Sequence, residues 1–346
     1  MASRALRAVV AVSTLLAAFT PASAQEAVVN VYTFRQPDLI KPALDAFTTE
    51  TGIRTEVLFV DKGLEDRIAA EGENSPADVI VTVDIARLSA AKAKGVTQAL
   101  EDETVNSNIP ASYRDPENHW FGLTKRARVF YAYNARVPEK VMSYAALSDP
   151  RWKGRLCSRS GQHEHNLALF SAAILHWGEQ RTEEWLRGIK ANLSAAPSGM
   201  ERDQVKAIAE GRCDLAIGNA DQVGFMQTNA RSPEQQEWAK AIHIVFPLFE
   251  NGATHVNIAG AALARYAPHR DNAVKLIQFL SSPRGQQIMA EQNFEYPVEP
   301  RLKASTVVQS FGPLTADALL MDEIENTRQL ASEIVGRIGY DNGPER

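Results

Sequence analysis

The sequence predicts an α/β protein built from doubly wound sheets in two lobes, and three observations carry that prediction. Strands alternate with amphipathic helices from residue 28 onward, glycines stand where the helices should stop, and two long extended stretches interrupt the alternation. "VVNVYT" reads as the first strand, followed by the turn "FRQPD" and a helix "LIKPALDAFTTETG" ending at Gly52. "IRTEVLFV" is a second strand with the helix "KGLEDRIAAEGEN" behind it. "ADVIVTV" is a third, followed by "DIARLSAAKAKG", which closes at Gly95. Such alternation predicts a mostly parallel sheet. No G-x-G-x-x-G follows the first strand, which argues against a dinucleotide site.

"FGLTKRARVFYAYNARV" then reads as one extended crossing into a second α/β set. That set runs through strand "RLCS", helices "NLALFSAAILHWG", "TEEWLRGIKANL" and "ERDQVKAIAEG", and strand "CDLAIG". "IHIVFPLFENGATHVNIAGAAL" is the return crossing, with two helices in "RDNAVKLIQFLSSPRGQQIMAEQ" behind it; the tail "YDNGPER" is expected to fray. The expected division is residues 25–125 plus about 253–305 in one lobe and about 126–252 plus 306–346 in the other. Two crossings place a hinge and a cleft between the lobes.

The first 24 residues stand apart from this pattern. Arg4 and Arg7 precede an apolar run from Ala8 to Phe19, and Ala-Ser-Ala ends at Ala24, the layout of a secretory signal peptide cleaved there. The run is too short to span a bilayer. Cleavage removes Arg4, Arg7 and no acid, moving the formal charge from −5 to −7. An acidic exported chain is a poor partner for nucleic acid or anionic lipid. Its two cysteines, Cys157 and Cys213, each lie in a short strand-like run; in an exported protein that favours one disulfide, contributing ~3–4 kcal/mol.

"CDLAIGNADQVGFM" marks the ligand side. A buried strand breaks at Gly218 and turns polar at Asn219, Asp221 and Gln222 before a helix, and α/β proteins bind ligands where strands empty into such turns. Asp84 occupies the same position after the third strand, as a helix cap and a cleft-lining residue.

"SPADVIVTVDIARL", "HWFGLTKRARV", "RWKGRLCSRSG", "GATHVNIAG" and "EYPV", in this order, resemble the periplasmic ferric-ion-binding proteins of ABC importers. The resemblance runs over about residues 26–340. It implies the two-lobed type II periplasmic solute-binding fold, a monomeric receptor that is not an enzyme, iron as cargo with carbonate or a similar anion beside it, and a permease and ATPase as partners. Family members hold Fe3+ mainly with tyrosinate oxygens. This chain departs from them at each such place: Arg35-Gln36-Pro37 follows the first strand, and His165, Asp221 and Gln222 stand where relatives carry tyrosine.

Three readings of those positions stay open. In the first, His165, Asp221, Gln222 and Gln36 are metal ligands, an N/O set with one charge that suits Fe2+, Zn2+ or Mn2+ better than Fe3+; His163 and His165, two apart on an extended segment, point the same way. In the second the cargo is a small anionic metabolite or a ferric chelate, held by Arg159 and Ser160 at a helix N-terminus with Arg35, Arg126 and Arg128 adding bidentate contacts. In the third, Asp221 merely caps the helix "QVGFMQTNA" and His165 is a loop residue. Ser160, His165 and Asp221 could be arranged on paper as a triad, but no G-x-S-x-G or H-E-x-x-H supports catalysis.

Overall fold

The computed structural model describes residues 27–345, so the predicted signal peptide and its cleavage site lie outside the described residues. Ten strands form one continuous, curled sheet: β1 (Val28–Thr33), β2 (Arg54–Phe59), β3 (Val79–Thr82), β4 (Thr97–Gln98), β5 (Phe121–Tyr133), β6 (Leu156–Cys157), β7 (Leu215–Asn219), β8 (Ile242–Val245), β9 (Val256–Ala264) and β10 (Tyr296–Pro297). The spatial order along its main path is β2-β1-β3-β9-β5-β7-β6. The fold is two-lobed and α/β, with helices against both halves of this sheet.

β5 explains how one sheet serves two lobes. Its first half pairs with β9, from Phe121 opposite Ala261 to Ala127 opposite Val256. From Arg128 onward it pairs with β7 and β8 instead. The switch of partner therefore falls between Ala127 and Arg128, on the predicted crossing. The sheet is mixed rather than mostly parallel: β1–β2, β1–β3 and β6–β7 are parallel, whereas β5 and β9 are antiparallel to each other and to the strands they join. The reason is topological, because a strand that leaves a lobe and one that returns to it must run in opposite senses.

Of two apolar clusters, one spans the switch, from the first set of strands to Val205, Ile208 and Met226, and one lies wholly in the second half. One gathers Val29, Val31, Ile40, Phe47, Val79 and Leu263 around the first set of strands. The other gathers Phe130, Tyr144, Trp152, Phe170, Trp185 and Leu186. Cys157 and Cys213 are bonded, as the cysteine count predicts, tying β6 to the entry of β7.

A third passage between the halves was not legible. Residues 315–317 run beside Thr254, whose amide donates to Thr315 O at 2.8 Å and whose carbonyl accepts from Asp317 at 2.8 Å. The helix Met321–Asn326 then packs against the helices Ile85–Ala93 and Glu164–Trp177, one from each half. The expected fraying of the tail is corrected too. Tyr340 is fully buried against Phe170, and Asp341 accepts from Ser160 Oγ and the Gly161 amide, both at 2.6 Å. An aromatic anchor and a half-buried carboxylate hold a segment whose composition alone reads as loop.

Candidate functional site

Two buried carboxylates flank the point where β5 changes partner. Glu295 accepts from Arg35 Nη2 at 3.1 Å and from Thr124, with Arg126 Nε 3.9 Å away. Arg126 also donates to Val83 O. On the other side, Glu201 Oε1 accepts from Arg128 at 2.7 Å and Arg159 at 3.0 Å, and lies 3.2 Å from His165 Nδ1. Burial opposes ionisation of Glu201, but Arg128, the His165 contact and Arg159 together hold its carboxyl well below the usual range. Gly218 helps shape this wall: a Cβ there would meet the Tyr131 ring at 2.1 Å, and the close approach lets Tyr131 donate to Asn219 O at 2.6 Å.

Between these knots, Asp84, Glu164 and His165 converge, with one donor atom from each within 4.8 Å of the others. Asp84 caps the helix Ile85–Ala93, as its position predicts: Oδ1 accepts from the Ala86 amide at 2.8 Å and Oδ2 from Asn257 Nδ2 at 2.9 Å. The same Oδ2 stands 3.9 Å from His165 Nε2 across the cleft. Glu164 Oε1 is 4.0 Å from that nitrogen.

The segment "HEHN" is the start of a helix, not an extended strand. His163 is the cap of Glu164–Trp177, its Nδ1 accepting from the His165 amide at 3.1 Å, and the two rings meet edge to face with centroids 4.7 Å apart. Burial pushes the His163 imidazole down to about 2, so it stays a neutral acceptor. His165 Nδ1 lies 3.2 Å from Glu201 and 3.1 Å from Asn219 Nδ2. With its proton on Nδ1, towards the Glu201 carboxylate, His165 would offer the Nε2 lone pair to an ion held between Asp84 and Glu164. That is the tautomer a metal ligand requires. Metal–ligand bonds of about 2.0–2.2 Å put opposite donors about 4 Å apart, so the triad needs only a small contraction to hold one ion.

Asp221 lies beside this triad and does not cap its helix. The helix Ala220–Thr228 begins one residue earlier, with no side-chain cap at Asn219. Asp221 Oδ2 accepts from Gln222 Nε2 at 2.7 Å, while Oδ1 is buried without a partner. Burial raises its carboxyl, and the charge of Arg126 partly offsets this. A buried, half-satisfied carboxylate is poised for a cation or a proton.

The other predicted residues are placed differently. Gln36 precedes the helix Pro37–Thr51, exposed and without a capping bond. Gln222 is half-buried and takes Arg202 Nε at 3.0 Å. The arginines of the anion reading face internal acceptors: Arg35 on Glu295 and Asn293, Arg159 on Glu201, and Arg128 on Glu201, Asn166 and Asn219. The loop at Ser160 does receive an anion, the protein's own Asp341. With Ser160 on Asp341 and His165 on Glu201, the paper triad is not assembled. Sequence reading missed Glu164, Glu201, Glu295 and Asp341. Glu164 sat in plain sight between the two histidines; the others meet their partners only through contacts distant in sequence.

A strand-switch cleft carrying acidic and imidazole donors from both lobes is the architecture of a solute receptor. Residues 74–311 match the bacterial extracellular solute-binding protein family, and the chain belongs to it. Among its relatives is iron uptake protein A1 of Synechocystis sp., 36% identical over 324 residues that cover 93% of this chain and 89% of that protein. Ferric iron-binding protein A of Mannheimia haemolytica, solved in an open conformation, superposes with a TM-score of 0.87 at 43% identity, covering 91% of this chain and 99% of that one. A Trichodesmium structure in complex with iron and citrate gives 0.86 at 34% identity over 90% and 99%. These relatives are named for binding or uptake, not for catalysis. Among the described residues no helix is long and apolar enough to cross a membrane.

Proposed function

We propose that this chain is the periplasmic substrate-binding component of an ABC importer and that its cargo is iron, captured between the lobes and handed to a permease driven by an ATPase. Relatives named for iron uptake or for ferric iron cover nearly the whole chain, which supports the cargo. An N-terminal signal cleaved after Ala24 would deliver it to the periplasm. The lobe division at 25–125 plus 253–305 against 126–252 plus 306–346 accords with the change of partner within β5.

The observation that carries the site assignment is the convergence of Asp84, Glu164 and His165. We assign these three as the principal donors, with Asp221 as a fourth; Gln222 and Gln36 take no part. The tyrosines nearest the switch are spent elsewhere: Tyr131 donates to Asn219 O and Tyr144 to Arg128 O, each at 2.6 Å, and burial raises both phenols. Charge follows from the donors. Asp84 and Glu164 balance a divalent ion, and an ionised Asp221 adds the third negative charge that Fe3+ calls for.

Elemental analysis of the purified protein, then titration of the stripped form with Fe3+, Fe2+, Zn2+ and Mn2+, tests this reading. One tightly held iron per chain is expected, and indifference to all four ions would refute it. A second reading, a ferric chelate as cargo, is favoured by the Trichodesmium structure with citrate. It predicts that iron binds only when citrate or bicarbonate is supplied.

A further inference from the structure

One ion pair crosses the cleft directly. Arg87 Nη2 lies 3.4 Å from Glu164 Oε2, and both side chains are about one-quarter exposed. Arg87 belongs to the first half, because its helix, which buries Ile85, Leu88 and Ala91, packs on β3, β4 and β9. Its guanidinium stacks on Phe34 at 4.1 Å, and Nη1 reaches Asp61 O at 3.4 Å. Glu164 opens a helix whose Leu167, Leu169 and Phe170 fill the second core. The two partners are thus anchored in opposite lobes.

Glu164 divides its two oxygens. Oε2 faces Arg87, while Oε1 faces His165 Nε2 at 4.0 Å, on the metal side. We infer that Arg87 is a positioning residue: by holding the outer oxygen of Glu164 it aims the inner one at the cargo and latches the lobes together. The positioning half rests on the assignment of Asp84, Glu164 and His165 to iron; the latch does not.

A carboxylate ligand free to rotate loses order that a second contact supplies, and removing such contacts typically weakens metal binding ten- to a hundredfold. A partly exposed ion pair shifts a two-state closure equilibrium only a few-fold. Arg87 Nε is buried without a partner, so this guanidinium is held by stacking and geometry rather than by full hydrogen bonding. Lysine cannot reproduce a planar stack and fork.

The test uses the full mature chain as Arg87→Gln, Arg87→Lys and the exchange Arg87→Glu with Glu164→Arg. Small-angle scattering of the metal-free form and stopped-flow release of iron to a chelator are the readouts. Arg87→Gln should enlarge the metal-free radius of gyration and speed iron release about tenfold, with iron association changed far less. Arg87→Lys should recover part of both. The exchanged pair should restore the compact metal-free form but bind no iron. Wild-type release together with a wild-type radius in Arg87→Gln would overturn the inference. If the wild type itself bound no iron, the site assignment and the positioning role would fall together, and the scattering comparison would still decide the latch.

Discussion

Glu201 Oε1 stands 3.2 Å from His165 Nδ1, and that contact determines which imidazole nitrogen faces the cleft. The same oxygen closes a knot with Arg128 and Arg159. One carboxylate therefore pairs with two buried guanidinium groups and orients a candidate ligand.

Glu201→Gln should be costly on both counts. The two arginines lose their counter-charge inside the fold, a defect worth about 3–5 kcal/mol, and His165 loses its tautomer preference. We expect a large drop in the urea midpoint together with metal affinity reduced by ten- to a hundredfold. Calorimetric titration and chemical denaturation read the two separately; wild-type iron affinity in the variant would count against the orienting role.

Asp221 should behave in the opposite manner. Its Oδ1 is buried without a partner, and burial raises its carboxyl. Asp221→Asn removes a strained charge and should stabilise the fold by about 1 kcal/mol while weakening iron binding. A less stable variant with unchanged affinity would show that Asp221 is structural.

Acid sensitivity should follow His255. This side chain is almost wholly buried, neither ring nitrogen has a partner, and burial pushes its imidazole down to about 3. The unfolded chain takes up a proton near pH 6.5 that the folded one refuses. The stability His255 permits is therefore present above pH 6.5 and lost as pH falls from there toward 3, by about 1.4 kcal/mol per unit. His255→Leu should flatten that slope in urea midpoints collected between pH 6.5 and 4. An unaltered slope would assign the acid lability to other groups.

Reduction of the bond between Cys157 and Cys213, which are 56 residues apart, should cost about 4 kcal/mol by the loop entropy it restores. β6 and β7, which it ties together, lead to Arg159 and Asn219 respectively. The double serine variant, melted beside the oxidised wild type, should lose stability by that amount. A melting temperature equal to that of the wild type would contradict this.

Local signals were readable where chemistry is local. Asp84 caps its helix as its place after β3 demands, Gly52 ends its helix at φ 73°, and the long run of β5 joins both halves of the sheet as one extended crossing. Signals fail where a residue's role is set by a distant partner. Nothing in "SGMERD" reveals that Glu201 meets Arg128, which is 73 positions away. Nothing in the tail reveals that Asp341 fills the loop at Ser160. The histidine pair misled because alternation alone cannot separate an extended segment from a helix cap followed by its first turn. The mixed sheet escaped for a similar reason, since pairing sense depends on which strands return across the hinge.

The absorption spectrum of the iron-loaded protein, compared with that of Asp84→Asn and His165→Ala, tests the central claim most directly. The account predicts one iron per wild-type chain, no strong visible tyrosinate-to-iron band, and loss of iron in both variants. A strong phenolate band, or full iron loading in both variants, would contradict it.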